Sequence, residues 1–225
     1  MTPDPITELV ARRIGVLISG RGSNLQALID AAQDGRLDAS IVVVISNREN
    51  AAGLDRARQA GIDAVALPHT GWPSRDDYDR ALARELQARR VGLVCLAGFM
   101  RRVGPALIDA FPDAVVNIHP SLLPAFPGAD AQRQAIEHGV KVSGVTVHFV
   151  TPELDAGPII LQRAVPVLEG DTEDTLSARI LAAEHQAYPA AITLLLNGGW
   201  RIVGRRVVRP TGPDAASPSP PRADS

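Results

Sequence analysis

Four short, almost uninterrupted apolar runs, separated by segments of helical periodicity, constrain this chain more than any other feature. They are "RIGVLIS" (13–19), "SIVVVIS" (40–46), "GLVCLAG" (92–98) and "AVVNI" (114–118). Runs of that length and continuity suit strands buried on both faces, the environment of a parallel sheet. Between them, 24–34 reads as a helix with Leu25, Leu28, Ile29 and Ala32 on one face. A second helix, 51–61, ends at Gly61, "AVALP" (64–68) is a short strand, and a longer helix covers 74–90. Strands alternating with helices predict an α/β fold, a mostly parallel twisted sheet with helices on both faces.

The chain changes character after residue 140. "SGVTVHFV" and "PIILQRAVPV" alternate apolar with polar residues, which suits strands at the far edge of the sheet, partly antiparallel. A long amphipathic helix spans about 172–197, and its Tyr188-Pro189 pair is expected to kink or divide it. "GGWRIVGRRVVRP" reads as a terminal hairpin with a Gly-Arg turn. Residues 1–12 read as a flexible extension and 210–225 as a disordered tail, since neither has the apolar content to build a core. That leaves 13–209 as one domain.

The net charge of −2 over 225 residues gives no basic face for nucleic acid. No apolar stretch is long enough for a membrane and the N-terminus lacks a signal peptide, so the expected compartment is the cytoplasm. The single cysteine, Cys95, lies inside an apolar run and reads as a core residue. The five histidines include no i,i+4 pair on a helix, and no Cys-x-x-Cys is present, so no metal is expected.

Two stretches carry chemistry. "SGRGSN" (19–24) joins the first strand to the first helix, where closely spaced glycines and a helix N-terminus favour an anion. A dinucleotide fingerprint is incomplete, because Leu25 stands where the third glycine belongs and no acid ends the second strand. A phosphate monoester fits better; a tight turn with no ligand fits the spacing equally well. The second stretch is "VVNIHPSLLPAFPG" (115–128). Asn117 and His119 end a strand two residues apart, so both face one side, and Pro120, Pro124 and Pro127 stiffen the loop that follows. Asp155, in "PELDAGP", is a short acid in a constrained loop. Asn offers N–H donors to an oxyanion, His moves a proton near neutral pH, and an ionised Asp favours the imidazolium. No Ser or Cys is placed as nucleophile, so the set suits direct transfer. Structural readings of the same residues, a satisfied strand-end histidine and an Asx turn, stand beside it. His148, in "VTVHFV", reads as a supporting residue.

Together these pieces resemble the phosphoribosylglycinamide formyltransferases, folate-dependent enzymes of purine synthesis, over nearly all of residues 14–209. The resemblance rests on "VLISGRGSNLQALI", "SNRENAAGLDRARQAGI", "LAGFMRRV", "NIHPSLLPAFPG", "GVTVHFVTPELDAGPIILQ", "VPVLEGDTEDTLSARI" and "EHQAYP". It implies a Rossmann-like fold and transfer of formyl from 10-formyltetrahydrofolate, the co-substrate, to glycinamide ribonucleotide. Asn117, His119 and Asp155 would be catalytic. Gly22, Ser23, Asn24, Leu25 and Glu184 would bind the ribonucleotide. Met100, Arg101, Arg102, Val103, Asn117 and Arg75 would bind the folate. The partners implied are these small molecules, with a homodimer left open. The chain departs from the family at Ala125, Asp130 and Gln132, where relatives often carry Lys, His and His, on a loop expected to border the phosphate side. Three alternatives remain. A related formyltetrahydrofolate hydrolase would carry an extra N-terminal domain, a methionyl-tRNA formyltransferase a further C-terminal one, and a degenerate phosphate-binding module no catalytic set.

Overall fold

A computed structural model describes residue 10 and residues 12–209. The expectations for a flexible extension and a disordered tail lie almost wholly outside the described residues. Within them, the apolar runs form β1 (Arg13–Ile18), β2 (Ser40–Ser46), β3 (Ala64–Ala66), β4 (Leu93–Leu96) and β5 (Val115–His119). They are followed by β6 (Val142–Phe149), β7 (Ile159–Pro166), β8 (Arg201–Val203) and β9 (Arg206–Val208). The helices are α1 (Ser23–Gln33), α2 (Ala52–Gln59), α3 (Arg75–Ala88), α4 (Pro105–Ala110), α5 (Ala131–Glu137) and α6 (Glu173–Leu196).

All nine strands join one sheet in the order β3-β2-β1-β4-β5-β6-β7-β9-β8. The first five pair in parallel; β6 runs antiparallel to β5, and β7 to β6. The strand order reverses beside β1, the place in an open α/β sheet where a crevice opens past the strand ends. The terminal hairpin, not β7, takes the edge: β9 touches β7 through one parallel pair. β6 is therefore interior, buried from Ser143 to Phe149. Its polar residues mimic a solvent-facing alternation, yet Thr146 and His148 are buried and hydrogen-bonded within the protein.

Alternation along the buried strands divides the core. Ile14, Val16 and Ile18 of β1 pack with Leu25 and Leu28 of α1 and with Tyr188 and Ile192 of α6. Leu17 points to the other face, against Tyr78, Leu82 and Leu86 of α3 and Leu107 of α4. On α1 it is Ala31 that is fully buried, while Ala32 is half-buried. α6 runs unbroken through Pro189, so the expected division does not occur. An interior proline costs about 3 kcal/mol, and burial of large apolar side chains contributes roughly 1.5–3 kcal/mol each. Tyr188, Ile192 and Leu195 are all buried on the sheet side. Two helices have no counterpart in the sequence reading. α4 starts at Pro105 after Gly104, and α5 is seven residues long; neither is long enough to establish a period.

Candidate active site

Asn117 and His119 lie on the same face of β5 and pair across the strand with His148 and Thr146 of β6, which brings four polar side chains onto one patch. The patch opens into a cavity of about 540 Å³ on the side of the sheet that carries α3 and α4, lined among others by Leu96, Phe99, Val103, Asn117, His119 and Asp155. Asp155 arrives from the turn between β6 and β7 with φ of 50°, a left-handed conformation that Asp tolerates better than most residues. Its Oδ2 lies 3.5 Å from His119 Nδ1, its Oδ1 lies 3.8 Å from His148 Nε2, and its side chain is 9% exposed. The three sequence-predicted residues therefore meet, and His148 joins them.

The hydrogen bonds fix how these rings are protonated. His148 Nδ1 lies 2.8 Å from the Phe149 carbonyl, which can only accept, so Nδ1 carries the proton. Burial pushes the His148 imidazolium pKa down, with the Phe149 carbonyl and Asp155 opposing. A neutral ring then presents its Nε2 lone pair to Asn117 Nδ2 at 3.3 Å, which fixes one N–H of that amide. His119 Nε2 lies 2.8 Å from the Phe126 carbonyl and donates to it. Both ring nitrogens of His119 thus face protein acceptors. The Nδ1–Asp155 contact, longer than an ordinary hydrogen bond, is the one that opens more readily.

The proline loop is held by more than its prolines. Thr146 Oγ1 donates to Ser121 O at 2.7 Å and accepts from Leu123 N–H at 3.0 Å, and Gln162 Nε2 donates to Leu123 O at 2.8 Å. Gly128 N–H donates to Asp155 Oδ2 at 2.7 Å. Sequence reasoning did not find Thr146 and Gln162, because a polar residue in a strand has no local signal of what it will meet. Asp130 and Gln132 line the same cavity as His119, and Asp130 pairs with Arg133.

The glycine turn also has a packing role. Gly22 has φ of 70°, and a Cβ there would lie 2.8 Å from the Cα of Gly53 at the start of α2. The close approach that requires glycine is to another glycine of the chain. Gly22→Val is therefore expected to destabilise the protein by about 2–4 kcal/mol through left-handed strain and backbone overlap. An unchanged urea midpoint would show that the approach is dispensable. Asn24 is buried in the first turn of α1, and its Nδ2 donates to Glu184 Oε2 at 2.9 Å, joining residues 160 apart. Burial pushes the Glu184 carboxyl up, with Asn24 partly offsetting it. One turn later on α6, Tyr188 donates to the Leu96 carbonyl at 2.9 Å, docking this helix against the carboxyl end of β4. Ser23 is half-buried and Leu25 is core; none of Gly22, Ser23, Asn24, Leu25 or Glu184 lines the cavity.

Of the residues expected to meet a folate, Met100, Arg101, Arg102 and Val103 line the cavity. Met100 is 71% exposed, Arg102 Nη2 donates to Pro152 O at 3.3 Å, and Val103 is buried. Arg75, the first residue of α3, is exposed and does not line it. Among the described residues, no group of three or more His, Cys, Asp or Glu could hold a metal ion, and no helix is long and apolar enough to cross a membrane.

Residues 12–192 match the family model described as Formyl transferase. A phosphoribosylglycinamide formyltransferase of Escherichia coli is 48% identical over 189 residues, 84% of this chain and 89% of that protein. The trifunctional purine biosynthetic protein adenosine-3 of Drosophila melanogaster is 52% identical over 83% of this chain, which spans 14% of that much longer relative. The crystal structure of glycinamide ribonucleotide transformylase 1 from Symbiobacterium toebii superposes with a TM-score of 0.86 at 60% identity, covering 87% of this chain and 92% of that one.

Proposed function

The chain belongs to the formyl transferase family, and from that premise we propose that it moves the formyl group of 10-formyltetrahydrofolate onto the amine of phosphoribosylglycinamide, a step of purine biosynthesis. The observation that carries the reading is the group of Asn117, His119, His148 and Asp155, the two histidines buried and the other two half-buried, at a cavity of about 540 Å³, a size suited to a ring-bearing ligand. The substrate amine attacks the formyl carbon, the carbonyl oxygen becomes an oxyanion, and the bond to the folate nitrogen breaks as that nitrogen gains a proton. The second N–H of Asn117, free of His148, donates to the oxyanion. His119 takes the proton from the attacking amine and returns one to the leaving nitrogen. Asp155 supplies the counter-charge for the imidazolium.

The ribonucleotide is assigned to the other face of the strand ends. Its phosphate would sit at the N-terminus of α1, on the backbone N–H groups of 22–25 and the Ser23 hydroxyl, where the helix dipole favours an anion. Glu184, buried and held by Asn24, would accept from the glycinamide nitrogens. On the folate side, Met100 to Val103 would wall the cavity, with Arg102 and the exposed Arg75 offering charge to an acidic tail.

Mixing the protein with 10-formyltetrahydrofolate, with and without phosphoribosylglycinamide, tests the reaction. Tetrahydrofolate should appear only when both are present; its release without the ribonucleotide would make the protein a hydrolase, and no consumption in either case would remove the enzymatic reading. Ser23→Glu tests the phosphate assignment. A second negative charge at the α1 N-terminus should raise the ribonucleotide KM by about tenfold or more, while the folate KM moves less than twofold. Equal rises in both constants would place the phosphate elsewhere.

A further inference from the structure

We propose that Asp79 is a positioning residue for the formyl donor, gripping from α3 the backbone of the loop that walls the donor's cavity. The proposal rests on the reading that this cavity takes the donor. Residues 97–104 form neither strand nor helix, yet Gly98 to Val103 line the cavity. Two buried side chains hold that stretch. Ser19 Oγ accepts Met100 N–H at 2.7 Å near its start, and Asp79 Oδ2 accepts Gly104 N–H at 2.6 Å at its end.

Asp79 is 1% exposed, and aspartate is almost never that buried unless it is paired. The rest of the buried face of α3 is Tyr78, Ala81, Leu82, Ala83 and Leu86, so packing alone gives no reason for a carboxylate. Burial pushes its pKa up, while the Gly104 N–H and the charges of Arg101 and Arg75 oppose that and Asp76 adds to it. Arg101 is itself placed by this corner. Its guanidinium lies 4.9 Å from the centroid of the Tyr78 ring, and its Nε is buried without a hydrogen-bond partner. The Tyr78 face and the charge of Asp79 both attract it. Gly104 completes the fit, because a Cβ there would lie 2.9 Å from Asp79 Oδ2.

Steady-state kinetics on Asp79→Ala, Asp79→Asn and Gly104→Ala test the assignment. Asp79→Ala leaves the Gly104 N–H without its acceptor and should raise the KM for 10-formyltetrahydrofolate about tenfold, the size of one charge-assisted hydrogen bond. The ribonucleotide KM should stay within about twofold and kcat within about threefold. Asp79→Asn keeps an acceptor of the same shape and should bring the folate KM back to within about threefold of wild type. Gly104→Ala keeps the carboxylate, pushes the same contact apart from the opposite side, and should reproduce the folate-only rise; it decides the matter if Asp79→Ala does not fold. Equal rises in both KM values, or a folate KM unchanged in the folded variants, would overturn the proposal. If wild-type protein shows no affinity for the donor in calorimetry, the functional reading fails and takes this one with it. Wild-type affinity with unaltered variants sinks the role of Asp79 alone.

Discussion

Asp155→Asn is expected to lower kcat by about 10²–10⁴-fold, the range supplied by general acid–base assistance, with both KM values nearly unchanged. The substitution keeps a carbonyl oxygen that can accept the Gly128 N–H, now held at 2.7 Å, so the proline loop stays in place and Tm should move little. What disappears is the negative charge 3.5 Å from His119 Nδ1, and with it the stabilisation of the imidazolium formed as the amine loses its proton. His119→Ala removes the proton carrier itself and should cost about as much. Because the two side chains act as one unit, the double variant should be little worse than either single variant. Losses that multiply in the double variant, or an Asp155→Asn enzyme with near-wild-type kcat, would dissolve the pair.

The second large effect is expected at Asn117. Asn117→Ala removes the oxyanion donor, and loss of one such donor is worth about 10²–10³ in kcat, roughly 2.7–4 kcal/mol. Asn117→Asp should be at least as damaging although it is nearly isosteric. It replaces an N–H donor with a carboxylate facing both the developing oxyanion and the His148 Nε2 that now accepts from Asn117 at 3.3 Å. Ribonucleotide affinity should be unaffected in both, since Asn117 and the α1 turn are on different parts of the strand ends. An Asn117→Asp enzyme within tenfold of wild type would mean that the amide is not a donor in the transition state.

The site was partly legible in the sequence. A period of two put Asn117 and His119 on one side of a strand, and the structure has them there. The apolar continuity of β1, β2, β4 and β5 marked them as buried; β4 is buried throughout, β1 and β5 but for one residue each, and β2 from Val43 to Ser46. Asp155 could be read as a constrained acid near the end of the sheet, but its contact with Gly128 depends on two loops 27 residues apart. The same is true of Asp79, one of three acids in "SRDDYD" (74–79), whose contact with Gly104 joins residues 25 apart. Arg75, in the same segment, was expected from the resemblance to meet the folate; it is exposed and does not line the cavity.

What the sequence determined by itself was local: the period of each element, the continuity of the buried strands, the glycine turn at the head of α1, and the pair of polar residues at the tip of β5. These depend on spacing of two to four residues, which fixes which side chains share a face whatever the rest of the chain does. Only the tertiary structure decided which distant faces meet. It joined Asn24 to Glu184 across 160 residues and set Gly22 against Gly53 rather than against open space. It buried β6 behind an edge hairpin and turned His119 Nε2 toward the Phe126 carbonyl. Such contacts follow from strand order, register and packing of the whole domain, and a buried polar group is stable only where that packing delivers its partner. No local pattern carries that information.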